Sequence, residues 1–294
     1  MKLTEEEIKR VKGLGCLKDK RYNDVFNVRV LTVNGKLTAD KINTIAKASE
    51  LFGSGEVALT VRQTAEIQGV KYENLEKLFA YLNEKGLDCG GTGPKVRPVV
   101  SCKGTTCQYG LIDTYSLSEK IHERFYKGYH DTVLPHKFKI AVGGCPNNCV
   151  KPDLNDIGII GSCIPEISKE NHCMGCKSCG VENTCPMKAA RLTEGKISID
   201  ASLCNGCGRC IGKCPFKVIT APKQMGYTVY IGGRWGKKAN RGSYFCTASS
   251  EEEVLDVIEK LILFFRDNGT PGERFADTVN RLNKDNFIQN KILC

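Results

Sequence analysis

Two similar runs of cysteine follow one another in the middle of the chain, and they form an internal repeat. Each run has three cysteines two residues apart and a fourth cysteine directly before a proline. The first run is Cys173-x2-Cys176-x2-Cys179-x5-Cys185-Pro186, and the second is Cys204-x2-Cys207-x2-Cys210-x3-Cys214-Pro215. Thiolates at this spacing bind metal clusters, so the repeat predicts a compact domain built around its ligands.

The repeat has the spacing of a two-cluster ferredoxin, in which the fourth cysteine of each run binds the other cluster. One predicted [4Fe–4S] set is Cys173, Cys176, Cys179 and Cys214; the second is Cys204, Cys207, Cys210 and Cys185. The first run has five residues before its fourth cysteine where three are usual, which lengthens a loop without removing a ligand. A pair of zinc knuckles is the alternative, but zinc needs four ligands per site and has no use for the Cys-Pro ends.

Composition limits the class of protein. The 294 residues suffice for two or three domains, and a 41% hydrophobic content is ordinary for a globular protein. The 17 cysteines, without the apolar segment of a signal peptide, predict a reducing, anaerobic cytoplasm where thiols are ligands. The net charge of +10 indicates an anionic partner or cofactor. No nucleic-acid motif and no membrane span are recognised.

A second set of four thiols lies earlier in the chain, in two short loops. Cys102 and Cys107 form the first loop, and Cys145 and Cys149 form the second. Their spacing alone allows either zinc or an iron–sulfur cluster. The second loop, Gly144-Cys-Pro-Asn-Asn-Cys149, is a tight turn whose backbone N–H groups can reach cluster sulfur and a flat cofactor, which favours the cluster.

The first 90 residues predict a ferredoxin-like α+β module. A strand is expected over 25–32, then a helix from the cap Thr38 to Gly53, whose apolar positions Ile42, Ile45, Ala46 and Leu51 follow the helical period. Strands are expected over 57–61 and 65–70, followed by a second helix that stops at Gly86. The order strand, helix, strand, strand, helix is typical of that module.

The remaining chain predicts an α/β domain interrupted by the cysteine repeat. Strands are expected over 96–100, 137–142, 156–160 and 227–233, with helices over 113–125 and after a capping box at Ser250–Glu253. The predicted domains are the ferredoxin-like module 1–90, the first part of the α/β domain 91–163, the inserted two-cluster ferredoxin 164–222, and the second part 223–294.

Several short motifs together resemble those of the sirohaem-dependent sulfite and nitrite reductases. They are Leu59-Thr-Val-Arg62-Gln63-Thr64, Val96-Arg97-Pro98, Lys137-Phe-Lys139 and the paired cysteine loops. Within that family the chain resembles the short anaerobic, dissimilatory-like sulfite reductases, over residues 25–294. The resemblance implies an α/β domain that binds sirohaem and a [4Fe–4S] cluster held by Cys102, Cys107, Cys145 and Cys149. It also implies that Cys149 bridges the cluster to the sirohaem iron.

The resemblance assigns further residues. Arg62, Arg97, Lys137 and Lys139 match the family's cationic substrate residues, where positive charge would bind an oxyanion and stabilise the charge added on reduction. Gln63, Thr64, Arg234, Lys237 and Lys238 are candidates for binding sirohaem. Lys137 and Lys139 alternate on one predicted strand, so they are expected to share a face.

The resulting hypothesis is a six-electron reduction of sulfite to sulfide, with three [4Fe–4S] clusters and with electrons entering through the inserted ferredoxin. Reduction of nitrite to ammonia is the alternative, although two lysines around Phe138 favour sulfite; an electron carrier without sirohaem is another. The donor is expected to be a ferredoxin or a partner subunit. Because larger relatives carry two copies of the module and this chain carries one, a homodimer with sirohaem near its interface is predicted.

Overall fold

The computed structural model describes residues 3–168, 172–282 and 287–293. Its N-terminal part is a four-stranded antiparallel sheet, of order β1-β2-β4-β3, with helices packed against it. The elements are α1 (Glu5–Gly13), β1 (Cys16–Lys18), β2 (Val25–Val30), α2 (Ala39–Phe52), β3 (Val57–Leu59), β4 (Ala65–Lys71) and α3 (Leu75–Glu84). The predicted order from β2 to α3 is confirmed, and β1 is an additional edge strand.

Helix α2 begins where the sequence predicts, because the Thr38 side chain accepts a hydrogen bond from the Lys41 N–H. Only part of its apolar face is buried. Ile45 and Ala48 are buried against the sheet, whereas Ile42 and Leu51 are more than half exposed. A small residue at position 48 lets the helix approach β4 closely, so the contact face is narrower than the apolar pattern suggests.

The second part of the chain forms a five-stranded mixed sheet of order β13-β12-β7-β6-β5. Strands β5, β6 and β7 are parallel, and β12 pairs antiparallel with both β7 and β13. These strands are β5 (Val100–Ser101), β6 (Ile140–Gly143), β7 (Ile157–Ser162), β12 (Gly226–Ile231) and β13 (Ser243–Ala248). Strand β13 was not predicted.

Helices complete this domain and share one apolar core with the sheet. They are α4 (Thr114–Ile121), which continues as a π-helical turn over His122–Lys127, α6 (Glu251–Asn268), α7 (Phe275–Leu282) and α8 (Phe287–Leu293). The predicted start of α6 is confirmed, since Ser250 caps it by accepting from the Glu253 N–H. Phe138, Phe265 and Phe275 pack ring to ring in the core, and thus fix the segment before β6 against α6 and α7.

Residues 164–222 leave the sheet after β7 and return before β12, which are neighbours in that sheet. Two short strands at the ends of the segment, β8 (Glu166–Ile167) and β11 (Ile219–Thr220), pair with each other. Between them lie α5 (Gly180–Thr184), β9 (Ala190–Thr193) and β10 (Lys196–Ile199). The segment has a small core of its own that includes Val181, Ile197 and Val218. In the described part of the chain no helix has the length and apolarity to cross a membrane.

Candidate functional site

The two early cysteine loops meet at one edge of the five-stranded sheet. Cys102 follows β5 and Cys145 lies two residues beyond β6, and these strands are parallel neighbours, so their carboxyl ends lie side by side. The Gly144 N–H donates to the Cys102 Sγ over 3.1 Å. A Cβ on Gly104 would lie 2.8 Å from the Gly144 Cα, so the two loops are as close as only glycine allows.

The four thiols of these loops are neighbours in space. Burial raises the pKa of the Cys145 thiol, and Cys102, Cys149 and Cys107 are close enough to raise it further. Across residues 3–168, 172–282 and 287–293, no three His, Cys, Asp or Glu side chains converge as ligands of a single metal ion. In a [4Fe–4S] cluster each of four thiolates binds a different iron atom, so its ligands surround the cluster.

Cys149 differs from its three partners because it is exposed, whereas they are half-buried. It follows Asn148, which adopts a left-handed φ of 58° and donates to Asp153 over 2.8 Å. The Oδ1 of Asn148 is buried and has no hydrogen-bond partner among the described residues. The two residues after Cys149, Val150 and Lys151, line a cavity of about 130 Å³. The chain therefore passes directly from the fourth thiol into the lining of this cavity.

Basic and apolar side chains both line the cavity. The residues that line it include Arg62, Lys139, Lys151, Asn155, Val61 and Trp235. The Lys151 Nζ lies 5.5 Å from the centre of the Trp235 ring. This combination of cations and an aromatic ring suits a flat ligand that carries negative charge.

Arg62 lies at the turn between β3 and β4, beside Gln63, whose φ is 58°. Its guanidinium donates to the Asn155 Oδ1 over 2.9 Å and to the carbonyl oxygen of Pro98. The Arg62 Nε is buried, and no described residue forms a hydrogen bond with it. Burial lowers the pKa of Arg62 to about 10, and none of the hydrogen bonds of its guanidinium to the described residues is to a carboxylate. An unpaired buried cation of this kind has its lowest free energy with an anion beside it.

Lys139 is held by a buried ion pair that sequence analysis missed. The Lys139 N–H donates to the Asp156 Oδ2 over 2.8 Å, and the Arg274 Nη2 lies 3.1 Å from the Asp156 Oδ1. Burial raises the pKa of Asp156, while Arg274 and the Lys139 N–H oppose that shift. Burial, together with the charges of Arg62 and Arg274, lowers the pKa of Lys139 to about 8.

Arg97 and Lys137 lie next to these charged side chains but do not line the cavity. Burial lowers the pKa of both residues, and Arg97 and Arg274 contribute to the shift at Lys137. The guanidinium of Arg97 donates to the carbonyl oxygens of Gly91 and Gly93, in the linker between the two sheets. Strand β6 begins at Ile140, three residues later than predicted, and the segment before it is joined to Val96 by one bridge at Phe138.

The residues predicted to bind sirohaem lie in different parts of the structure. The Gln63 side chain exchanges two hydrogen bonds with the Ser101 backbone, at 2.6 and 2.8 Å, and so ties the turn to the strand before Cys102. Thr64 is buried and bonded to Thr60 over 2.7 Å. Arg234 pairs with Asp277 at 3.1 Å. Lys237 and Lys238 are exposed in the loop after β12.

In the segment 164–222 the second predicted ligand set comes together. Cys185, Cys204, Cys207 and Cys210 line one small cavity of about 20 Å³. Burial raises the pKa of Cys210 to about 11, and the other three thiols are among its electrostatic neighbours. Burial also opposes ionisation of Cys185, yet four backbone N–H groups of residues 187–190 lower its pKa below the ordinary value. Amides that point at sulfur in this way suit a cluster ligand.

The first predicted set is less tightly arranged. Cys173, Cys179 and Cys214 pack against the same small core, and Cys176 is half-buried. A Cβ on Gly180 would lie 2.8 Å from the Lys213 carbonyl oxygen, so the loops that carry Cys179 and Cys214 touch.

A cavity of about 240 Å³ connects the early thiols with the later ones. Both Cys145 and Cys207 line it. Tyr109 and Arg209 line it too, and the Arg209 Cζ lies 5.1 Å from the centre of the Tyr109 ring. Cys163 directly follows β7 and forms an isolated parallel β-bridge with Cys207. The Cys163 N–H donates to the Gly206 carbonyl oxygen over 2.7 Å. The set that contains Cys207 is therefore the neighbour of the sheet-edge thiols.

Two sequence profiles of known families match most of the chain. The sequence profile of the nitrite and sulphite reductase 4Fe-4S domain matches residues 92–291, and that of the nitrite/sulfite reductase ferredoxin-like half domain matches residues 19–85. An uncharacterised protein of Methanocaldococcus jannaschii is 33% identical over 95% of this chain and 98% of its own length. The coenzyme F420-dependent sulfite reductase of that organism is 31% identical over 92% of this chain, which spans 43% of that enzyme.

A solved structure has the same fold. The crystal structure of dissimilatory sulfite reductase I superposes with a TM-score of 0.70 and 24% identity, over 88% of this chain and 67% of the other. At this identity the likeness establishes a shared mixed α/β architecture.

Proposed function

Because the chain belongs to the nitrite and sulphite reductase family, we propose that it reduces sulfite to sulfide with electrons that enter through residues 164–222. The observation that supports the proposal is that Cys149, one of four neighbouring thiols, directly precedes Val150 and Lys151, which line a cavity together with Arg62 and Lys139. In the proposal, Cys149 joins a site for electrons to a site for an anion.

The side chains at the cavity fit sirohaem, the cofactor of this family. Its eight carboxylates need cationic partners, and the buried Arg62 Nε and the exposed side of Lys151 are two places where the chain offers them. Trp235 provides an aromatic surface beside them. When bound, sirohaem and a [4Fe–4S] cluster supply the redox chemistry, and the protein supplies orientation and charge.

The basic side chains account for binding and protonation of the substrate. Sulfite is a small dianion; with six electrons and seven protons it gives hydrogen sulfide ion, HS−, and its three oxygens leave as water. Arg62 and Lys139 neutralise the charge of the anion, and Lys139 can donate a proton because its pKa lies near 8. Asp156 fixes the backbone of Lys139 and balances Arg274, so it is a positioning residue.

One shared cavity supports an order for the proposed electron relay. Because Cys207 and Cys145 both line it, Cys185, Cys204, Cys207 and Cys210 would hold the last cluster before the sheet-edge cluster. The set with Cys173 and Cys214 is then the first stage.

The proposal is tested by turnover with chemically reduced methyl viologen under anaerobic conditions. We expect six oxidised viologens for each sulfide formed, at a rate that follows the sirohaem content. Nitrite is the comparison substrate: a higher kcat/KM for nitrite than for sulfite would assign the enzyme to the other branch of the family. Protein that contains clusters but forms neither product would be an electron carrier.

Cys207→Ser is expected to break the relay. Loss of a thiolate from the inner cluster should lower turnover with a reduced ferredoxin to below about a tenth of the original rate, a barrier increase of at least ~1.4 kcal/mol. Reduced viologen can still reach the sirohaem, so its rate should change little. Cys246→Ser, in β13 and outside both predicted sets, is the control. Equal losses with both donors would contradict a relay through Cys207.

The pH dependence of the kcat/KM for sulfite is expected to reflect the ionisation of Lys139. Its side chain is cationic below its pKa, which is about 8 without bound anions and is raised by the carboxylates of sirohaem. The kcat/KM for sulfite should therefore fall as the pH rises through a value of about 8 or above. Lys139→Arg keeps the charge at all these pH values. The ionisation of sulfite affects the wild type and this variant equally, so it drops out of the ratio of their kcat/KM values. An unchanged ratio across the pH range would exclude Lys139 as the titrating group.

The surface beside the cavity supports a homodimer. Leu59 and Val61 are 88% and 95% exposed, and Trp235 is 60% exposed. A second copy of the chain can cover this apolar surface symmetrically and enclose the cavity. We expect light scattering of the cofactor-loaded protein to give twice the 32.4 kDa of one chain. Val61→Glu should shift it to the monomer, and an active wild-type monomer would contradict the prediction.

A further inference from the structure

The turn between β3 and β4 carries two neighbouring side chains that both reach the α/β domain. The Arg62 guanidinium donates to the Asn155 Oδ1 and to the Pro98 carbonyl oxygen. The Gln63 side chain bonds to the backbone of Ser101. Successive side chains of an extended strand point to opposite sides, but the left-handed φ of 58° at Gln63 bends the chain between them. This uncommon conformation is the kind of local strain that is retained where a site needs it.

Hydrogen bonds around the turn hold Gln63 in this conformation. Its N–H donates to the Thr60 carbonyl oxygen over 2.9 Å, and the Thr60 N–H donates to the Thr64 carbonyl oxygen over 3.0 Å. From the loop after β2, the Thr32 hydroxyl donates to the Gln63 carbonyl oxygen. A Cβ on Gly35 would lie 3.1 Å from the Gln63 Cδ, so the same loop packs against the amide. The Gln63 side chain is therefore supported from both its own turn and a neighbouring loop.

The amide of Gln63 pairs with both backbone groups of Ser101, at the edge of the five-stranded sheet. Its Nε2 donates to the Ser101 carbonyl oxygen over 2.6 Å, and its Oε1 accepts from the Ser101 N–H over 2.8 Å. Strand β5, which ends at Ser101, is the edge strand beside β6. Ser101 is only 1% exposed, so solvent does not reach these backbone groups. The side chain thus takes the place that a further strand would have at this edge.

The first predicted ligand of the sheet-edge cluster, Cys102, directly follows Ser101. The Cys102 N–H donates to the Val142 carbonyl oxygen of β6 over 3.0 Å. The segment that leads into the cluster loop is therefore held by β6 on one edge and by Gln63 on the other. One peptide bond joins Arg62 to Gln63, a pair of hydrogen bonds joins Gln63 to Ser101, and one peptide bond joins Ser101 to Cys102.

We propose that Gln63 is a positioning residue that fixes the sheet-edge cluster relative to the anion-binding side of the cavity. This rests on the function proposed above, in which Arg62 binds the anion and Cys102 holds the cluster. Gln63 acts through Ser101 and does not itself take part in the reaction. Arg62 keeps its own hydrogen bonds when Gln63 is changed, so the anion site is retained while the cluster loses its fixed position.

The experiment compares Gln63→Leu and Gln63→Asn with the control Gln224→Leu, all as cofactor-loaded proteins. Leucine keeps most of the side-chain volume but has no polar group. Asparagine keeps the amide and adopts a positive φ more readily than glutamine, but it is one methylene too short to reach both groups of Ser101. Gln224 lies before β12 and donates to the Ser249 carbonyl oxygen, so the control loses a bond of the same kind elsewhere.

Two properties of each variant are measured. Turnover with reduced methyl viologen gives kcat and the KM for sulfite separately. Electron paramagnetic resonance of the reduced protein gives the signal of the sheet-edge cluster, identified as the one that Cys149→Ser alters. This second readout does not depend on sulfite reduction.

Both Gln63 variants should lower kcat by about tenfold and change the KM for sulfite by less than about twofold, because the cluster is displaced while Arg62 stays in place. The signal of the sheet-edge cluster should shift in both. The signals of the clusters in residues 164–222 should not change, and Gln224→Leu should match wild type throughout.

An unchanged kcat and an unchanged cluster signal in both Gln63 variants would overturn the positioning role. A higher KM with normal kcat and a normal signal would overturn it too, because Gln63 would then serve the anion site alone. A wild-type protein that fails to reduce sulfite with viologen overturns the proposed function instead. The cluster signal of the Gln63 variants still decides whether Gln63 positions the cluster.

Discussion

Cys149→Ser is expected to abolish sulfite reduction, with either a protein donor or viologen. Cys149 is the exposed thiol of its set and the one whose following residues line the basic cavity. A serine oxygen is a poor substitute for a thiolate on iron, so both the sheet-edge cluster and the sirohaem should be disturbed.

The measurement combines turnover with electron paramagnetic resonance and absorption spectra of the variant. Signals of the two clusters in residues 164–222 should remain, because their ligands are separate from Cys149. Cys246→Ser again serves as the control for a general effect of losing a thiol. Normal sulfite reduction by Cys149→Ser would show that the link between cluster and cavity lies elsewhere.

Asp156→Asn is expected to have the largest effect on stability. The Asp156 carboxyl is fully buried and Arg274 is 7% exposed, so removing the acidic group leaves a guanidinium charge in the core without a counter-ion. Breaking a buried pair in this way costs about 3–5 kcal/mol. The substitution should also raise the KM for sulfite, since an amide oxygen accepts the hydrogen bond of the Lys139 N–H less strongly than a carboxylate and holds Lys139 in place less firmly.

Chemical denaturation of the wild type and the variant measures this loss. Arg266→Gln is the matched control, because it removes an arginine–aspartate pair in which both side chains are about half exposed. That change should lower the free energy of unfolding by less than about 1 kcal/mol. Equal midpoints for Asp156→Asn and Arg266→Gln would contradict a stabilising role for the buried pair.

The features that sequence analysis recovered are local in the chain. A helix cap such as Thr38 or Ser250 acts on the N–H three residues later, so its signal lies within one turn. The cysteine spacing is local in the same sense. From this spacing, Cys185 of the first run was assigned to the ligand set of the second run. In the structure Cys185 lies with Cys204, Cys207 and Cys210.

What sequence analysis missed depends on packing between distant segments. Asp156 and Arg274 are 118 residues apart and meet only because α7 packs against the sheet. The one available signal was an aspartate at the start of an apolar strand. Strand β1 is three residues long, and its pairing with β2 decides its conformation. Lys137 and Lys139 precede β6, because regular parallel pairing with β7 begins only at Ile140.

The absorption spectrum of the protein purified without oxygen tests the central claim most directly, namely that Cys149 and the basic cavity hold sirohaem next to an iron–sulfur cluster. We predict a Soret band and a red band of sirohaem above the broad absorption of the clusters, with both bands shifting when sulfite is added to the reduced protein. A spectrum with only broad cluster absorption, unchanged by sulfite, would contradict the claim.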